Sequence, residues 1–398
     1  MPARTIGTLR TLTATAALTV PLLAAGPAAT AAAAVSAATT AAAPASPRAC
    51  AWTVRPSPAK GGSASLSAVA ATSASDVWAV GSYDAGGAYK TLIEHWNGSR
   101  WTITPSKDPA SGTHTTNTLT AVVALSRTNA WAFGFYEKAT TSFRTLVEHW
   151  NGSSWSVVPS PDSGTGENAL LAATARNATD IWAVGYHNDP GRRRTLTERW
   201  NGSSWSVVPS PSTGTGDNFL FGAAAAPGGP VWAVGSDSVS FGRTLALRWN
   251  GKAWTTGTTA NPGDGDRFLQ GVATPSAQYA LAVGSDLAGN QTRALAERWT
   301  GNGWLVVPAA SPAADYNGLQ AVAAASRTDA WAVGTRRATP GAAFRTLAEH
   351  WDGTRWTTAA SPSPGSGDDW LFGVAKVPGG GYWAVGTTGA GTLTEFRC

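Results

Sequence analysis

A four-residue word, Trp-Ala-Val-Gly, sets the limits on what this chain can fold into. It appears as Trp78-Ala79-Val80-Gly81 and as Trp131-Ala132-Phe133-Gly134, again at Trp182 and Trp232, as Leu281-Ala282-Val283-Gly284, and finally at Trp331 and Trp383. The seven copies lie 49 to 53 residues apart. Twelve residues ahead of each stands a leucine: Leu66, Leu119, Leu170, Leu220, Leu269, Leu319 and Leu371. About 14 residues after each copy begins Thr-Leu-x-Glu-His/Arg-Trp, as in Thr91 to Trp96 or Thr195 to Trp200. A Trp-Asn-Gly-Ser-x-Trp segment and a Val-Val-Pro-Ser-Pro exit follow, as in Trp200 to Pro211. By length alone, 398 residues would read as two or three domains, but a repeat overrules that arithmetic.

Each unit holds four short apolar segments bounded by turn residues, and three of them alternate or are rich in β-branched residues. Asn97-Gly98, Asn151-Gly152, Asn201-Gly202, Asn250-Gly251 and Asp352-Gly353 signal hairpins, because such pairs accept the positive φ of primed turns. Gly and Pro, at 45 and 24 residues, leave little room for helices. Four antiparallel strands in about 50 residues, repeated radially, make an all-β, seven-bladed β-propeller. A β-helix needs shorter coils, and a sandwich would not give seven identical registers.

The run Val77-Trp78-Ala79-Val80-Gly81, with Glu94-His95-Trp96, Trp101 and Pro105, resembles a kelch-type blade. The resemblance spans residues from about 50 to 398 and extends to secreted bacterial propellers. It departs from kelch at the glycine doublet, since Gly81 is followed by Ser82, Gly134 by Phe135 and Gly185 by Tyr186. It implies the fold strongly and the function weakly.

The last unit stops early. Thr392 to Cys398 aligns with Thr195 to Asn201, and then the chain ends before an outer strand. That strand stands at the other terminus, where Trp52 to Pro58 aligns with Trp205 to Pro211. The seventh blade is therefore expected to be composite, with three C-terminal strands and one N-terminal strand. Cys398 takes the place of Asn201, and Cys50 that of Ser203, so a disulfide replaces the missing hairpin turn. Closing so long a loop is worth roughly 4 to 5 kcal/mol in the chain-entropy model.

Two cysteines in one disulfide suit an oxidising destination. Arg4 and Arg10, the apolar stretch from Leu12 to Ala25 and the small residues from Ala28 to Ala34 read as a signal peptide over 1–34. Residues 35–49, rich in Ala, Thr, Ser and Pro, read as a linker to a propeller domain at 50–398. No later apolar run reaches the roughly 20 residues that would span a bilayer, so membrane insertion is not expected. The net charge of +5 has no clustered face, which argues against nucleic acid. A monomeric ring released outside the cell is the expectation.

Aligning the chain with itself separates scaffold from singular residues. Of 20 Trp, six occupy the repeated word, 13 flank the turns, and only Trp370 is left over. Glu94, Glu148, Glu198, Glu297, Glu349 and Glu395 recur at one position, with Leu247 in the fourth unit. They are expected to pair with arginines such as Arg144, Arg194, Arg293 and Arg345. His95, His149 and His350 share a position with Arg199, Arg248 and Arg298, and are scaffold for the same reason.

The second-to-third-strand loops and the blade-to-blade loops should emerge on one face, opposite the Asn-Gly turns. They are long and varied, as at Tyr186 to Arg194, Arg336 to Phe344 and Ser160 to Asn168. Variable loops on a rigid ring are where binding is built. The blade-to-blade loops end with a polar-then-aromatic signature: Glu167-Asn168, Asp217-Asn218-Phe219, Asp266-Arg267-Phe268, Tyr316-Asn317 and Asp368-Asp369-Trp370. Planar amides and carboxylates beside aromatic rings suit hydroxyl-rich ligands. The bland alternative is that Asn and Asp turn the chain while the aromatics plug the channel. Trp370, Phe219 and Phe268 lead the expected contacts, with Tyr186, His187 and Arg192 at the periphery.

Enzyme signatures are missing from the sequence: there is no HExxH, GxSxG, phosphate loop or sialidase Asp-box, and both Cys are spent on ring closure. No cofactor or metal is expected. The sequence thus points to a secreted, non-catalytic, lectin-like module recognising glycans or cell-surface polymer. The alternatives are a protein-recognition subunit of a larger secreted complex such as a toxin or adhesin, and a polysaccharide hydrolase or lyase acting through a pair such as Asp217 and Asp368.

Overall fold

The computed structural model describes residues 50–398 apart from 59, 140–141, 227, 239–241, 262–264 and 390. The expected signal peptide at 1–34 and the linker at 35–49 lie outside these residues; the disulfide cysteines lie within them. Twenty-eight strands form seven four-stranded antiparallel blades of a β-propeller. Blade 1 comprises Ala64–Ser73, Asp76–Asp84, Tyr89–Trp96 and Trp101–Ile103, and blades 2 to 6 repeat this order along the chain. Blade 7 is composite, as Trp370–Lys376, Tyr382–Thr388 and Gly391–Arg397 take Thr53–Val54 as their outer strand.

The spacing of the repeat follows from hairpin geometry. The leucine and the glycine of the word are cross-strand partners, as in Leu66↔Gly81, Leu170↔Gly185 and Leu371↔Gly386. All seven leucines are fully buried. Their glycine partners have no room for a side chain, since a Cβ on Gly185 would lie 1.9 Å from the Ala169 carbonyl oxygen. After each leucine the register shifts by one residue, as between Leu66 and Ala68.

Tryptophans lock neighbouring blades together. Trp78 lies 5.0 Å from Trp150 and 5.2 Å from Trp155 of the next blade, and Trp182 meets Trp249 and Trp254 in the same way. Edge-to-face geometry of this kind adds to the burial of large apolar surface. Where the word has Leu281, the site of the missing indole receives Tyr279, whose hydroxyl accepts a 3.1 Å hydrogen bond from Trp351 Nε1. At the seam, Trp331 is held by Trp52 at 5.5 Å and by the Arg397 guanidinium at 4.2 Å, because the chain has Arg where other blades have Trp.

The recurring glutamates are fully buried, but their partners are not the arginines the sequence suggested. Glu94 accepts from Ser57 (2.7 Å), Glu148 from Ser106 (3.2 Å), Glu198 from Ser160 (2.5 Å) and Glu395 from Ser361 (3.0 Å). Each serine belongs to the exit segment of the preceding blade, so the pair is an inter-blade clasp. The arginines hold loops instead: Arg144 donates to the Gly166 and Thr165 carbonyls, Arg345 to Gly365, and Arg194 pairs with Asp189. Uncompensated burial pushes Glu94, Glu148, Glu297 and Glu349 up to about 7, and Glu198 and Glu395 to about 8. The histidines brace the word: His95 stacks 4.2 Å from Trp78 and bonds Asp76 at 2.7 Å, and His350 repeats this with Trp331 and Asp329.

The Asn-Gly turns also differ from the primed form. Only the glycine has positive φ (Gly98 +100°, Gly202 +100°), and the loop between paired tryptophans is four residues long. Asn97 Oδ1 accepts from the Ser99 and Arg100 amides and from the Ser99 hydroxyl, so the asparagine closes the turn by its side chain. A further device passes unnoticed in the sequence. In blades 1 to 6, Asp108, Asp162, Ser212, Asn261, Ser311 and Ser363, seven residues past the outer tryptophan, cap a backbone N–H at the upper edge of the third strand, as in Thr91 N–H to Asp108 at 2.9 Å.

Cys50 and Cys398 form the disulfide, with Cα atoms 5.3 Å apart and a sequence separation of 348. At that separation the chain-entropy model gives about 6 kcal/mol, above the roughly 4 to 5 kcal/mol expected from the sequence, a value that suits a loop of roughly 100 residues. The seam is further closed by Arg55 N–H to Thr394 O (2.8 Å), Thr394 hydroxyl to Arg55 O (2.6 Å) and the Ser57–Thr392 hydroxyl pair (2.8 Å).

Candidate functional site

The loops between second and third strands and those between blades emerge together and are bonded to each other. Asn188 N–H reaches Glu167 O (2.7 Å), Arg193 N–H reaches Asp217 Oδ1 (2.8 Å), and Phe344 N–H reaches Asp368 Oδ1 (2.9 Å). The first-to-second-strand turns accompany the Asn-Gly turns at the other end, as in Trp96 Nε1–H to Ala74 O at 3.1 Å.

The amides of the loop ends face inward and are spent. Asn168 Oδ1 accepts from Ser163 N–H (2.7 Å) while its Nδ2 donates to Gly166 O (2.9 Å). Asn218 and Asn317 hold Thr213 and Ala313 in the same two-way grip, and Asn117, absent from the sequence-based set, does so with Ala110. All four are buried. Asp369 fills the corresponding place in blade 7, buried, accepting from Gly365 N–H and Arg345 at 3.2 Å. Arg267 occupies it in blade 5, buried, donating to Gly265 O and paired with Asp286 at 3.3 Å. The loop-shaping role therefore accounts for Asn168, Asn218, Asn317, Asp369 and Arg267, and none of them is presented to a ligand.

The aromatic part of the signature gathers in two clusters, half-buried at Trp370 and Tyr316, whereas Phe219, expected as a lead contact, is itself buried. In blades 6 and 7, half-buried Trp370 lies 4.3 Å from Phe344 and stacks 6.0 Å from Phe372, and Tyr316 meets Phe344 edge-on at 5.4 Å. Arg337, ion-paired to Asp315, spans the Phe344 ring at 4.6 Å. In blades 3 and 4, Phe219 stacks 5.5 Å from Phe221 and meets Tyr186 at 5.3 Å. Arg193 covers both Tyr186 (5.3 Å) and Phe219 (5.6 Å) and pairs with Glu167 and Asp217. Phe268 joins neither cluster; its ring lies beside Gly242. His187 is half-buried, and burial lowers its pKa.

The sequence signal for the missed rings was present: Phe221 and Phe372 follow Phe219 and Trp370 by two residues, which puts both members on one face of a strand. Phe344 and Arg337 come from loops of unequal length, where no repeat position exists to compare. Arg192 and Asp217 line a cavity of about 460 Å³ between the loops of blades 3 and 4, with Asn188, Asp189 and Arg193. Asp217 and Asp368 each spend an oxygen on a backbone N–H, of Arg193 and Phe344, in separate blades. Among the described residues, no group of three or more His, Cys, Asp or Glu is placed to hold a metal ion.

No family model matches this chain, and no curated protein matches it in sequence. Solved structures do match in shape. YCF48 bound to a D1 peptide superposes with a TM-score of 0.54 at 13% identity, over 87% of this chain and 95% of that one. A GH74 xyloglucanase from Xanthomonas campestris gives 0.50 at 16% identity, over 86% of this chain and 53% of the enzyme. A PL25 ulvan lyase bound to -[GlcA(1-4)Rha3S]- gives 0.51 at 10% identity, over 80% of this chain and 91% of the lyase. At such identities the likeness establishes the propeller fold alone.

Proposed function

We propose that the chain is a secreted, non-catalytic binding module that recognises glycan through the loop face of the propeller. The observation that carries this reading is the Trp370–Phe344–Phe372 cluster, a half-buried aromatic surface on rigid strands and bonded loops. Aromatic faces pack against the C–H surfaces of sugar rings, and Trp370 is the one tryptophan with no role in the inter-blade lock. Export is supported by the N-terminal composition and by a disulfide that an oxidising compartment would maintain. Propellers of similar shape include one bound to a peptide and two named for polysaccharides, so glycan and protein ligands are both within the reach of the fold. The kelch-like pattern of the blades fits a recognition role as well.

A panel of immobilised glycans and bacterial and plant polysaccharides tests the reading. Specific retention of the native protein, lost in Trp370→Ala without change in melting temperature, is the expected outcome. Retention of nothing on the panel, or equal retention of the variant, refutes it.

A further inference from the structure

The cavity between the loops of blades 3 and 4 has a charge balance that singles out one side chain. Its wall carries Arg192, Arg193, Asp189 and Asp217, with Arg194 behind it and Glu167 beside it. Arg193 is shared by Glu167 (3.4 Å) and Asp217 (3.7 Å). Arg194 is paired with Asp189 at 3.0 Å. Among the described residues, Arg192 has only the Gly214 carbonyl, at 3.4 Å, on its guanidinium. Among those residues it is the one cation of the group without a carboxylate, and it lines a space of about 460 Å³, large enough for a sugar residue.

We infer that this cavity is a subsite for an acidic sugar residue of a polysaccharide, with Arg192 receiving the carboxylate. The inference rests on the glycan-binding reading and names the ligand class of that face. A guanidinium offers two parallel N–H donors to a carboxylate, and one with a single long hydrogen bond has donors to spare. The paired Asp189 and Asp217 keep side-chain exposures of 43% and 32%, so free lone pairs remain on the cavity wall. Those lone pairs accept ring hydroxyls. A peptide's donors are single N–H groups spaced along an extended backbone, whereas a sugar ring presents several hydroxyls around one carboxylate, which favours saccharide over peptide. Beside the cavity, half-buried Tyr186 under Arg193 provides the aromatic flank.

The test compares binding to polygalacturonate with binding to the same polymer fully methyl-esterified, using native protein and Arg192→Gln. Poly-aspartate serves as a peptide probe and dextran as a neutral one. Native protein is expected to prefer polygalacturonate by about tenfold or more, the value of one charge-assisted bidentate contact. Arg192→Gln should erase that preference while leaving the melting temperature unchanged. Equal affinity for the acid and ester forms, or a preference that survives Arg192→Gln, overturns the subsite. Equal, Arg192-dependent binding of poly-aspartate overturns the saccharide assignment. Binding to dextran or ester with no acid preference leaves the glycan reading standing without the subsite, whereas binding to no polysaccharide removes both.

Discussion

Replacing Glu198 by Gln should make the propeller more stable at alkaline pH and leave it almost unchanged in acid. Glu198 is fully buried between blades 2 and 3, with the Ser160 hydroxyl on one oxygen and, among the described residues, no partner on the other. Burial, reinforced by the nearby Asp162 charge and opposed by the Ser160 hydrogen bond, raises its pKa from 4.5 to about 8. A carboxyl whose folded pKa is raised contributes its full stability below the unfolded value, and that contribution is lost as pH rises through the folded value. At about 1.36 kcal/mol per pH unit, the loss amounts to about 3 kcal/mol by pH 7 and about 5 kcal/mol by pH 9. Gln keeps the shape and a hydrogen bond to Ser160 but cannot ionise. With an unfolding entropy of about 2.1 cal/mol/K per residue over about 350 residues, 5 kcal/mol corresponds to about 7 °C. Calorimetric melts of both proteins at pH 4.5 and pH 9 give the answer. The other five buried glutamates are common to both, so the difference isolates this one. A gap that does not grow with pH, or a native protein that gains stability as pH rises above 5, would refute the buried-neutral account of the clasp.

Other outcomes follow from the same geometry. Replacing both Cys50 and Cys398 by Ser should lower the melting temperature by about 8 °C, the equivalent of about 6 kcal/mol of loop entropy, and an unchanged melt would mean that the seam holds without its covalent bond. Gly185→Ala places a Cβ at 1.9 Å from a backbone carbonyl, so it should cost at least about 3 kcal/mol, measured by urea unfolding. A variant as stable as the native protein would show that the strand pair can separate there.

The repeat made the fold legible because its two strongest letters, Leu and Gly, are one cross-strand pair, and their spacing is a hairpin written in sequence. The composite blade was legible for the same reason: Trp52 and Cys398 align with partners that sit on either side of a turn. The glutamate partners were not. Ser57 and Ser160 lie 37 and 38 residues before Glu94 and Glu198, in the preceding blade, while arginines stand close by in sequence. The expected site divided along chemical lines. Asn168, Asn218 and Asn317 can satisfy both amide groups within their own loops, and burial rewards that, whereas Trp370 and Phe344 have no polar need that draws them inward. Arg192 was visible as the start of a basic run. That its two neighbours are neutralised and it is not could be seen only from the ion pairs.

The claim that ligand is held on the loop face is tested most directly by amide hydrogen exchange with and without a saturating oligosaccharide of the best-retained polymer. The account predicts slowed exchange confined to residues 160–168, 186–194, 336–344 and 365–370, with the Asn-Gly turns at 97–100, 151–154 and 201–204 unaffected. Protection at those turns, or no protection on either face while the oligosaccharide is bound, would contradict it.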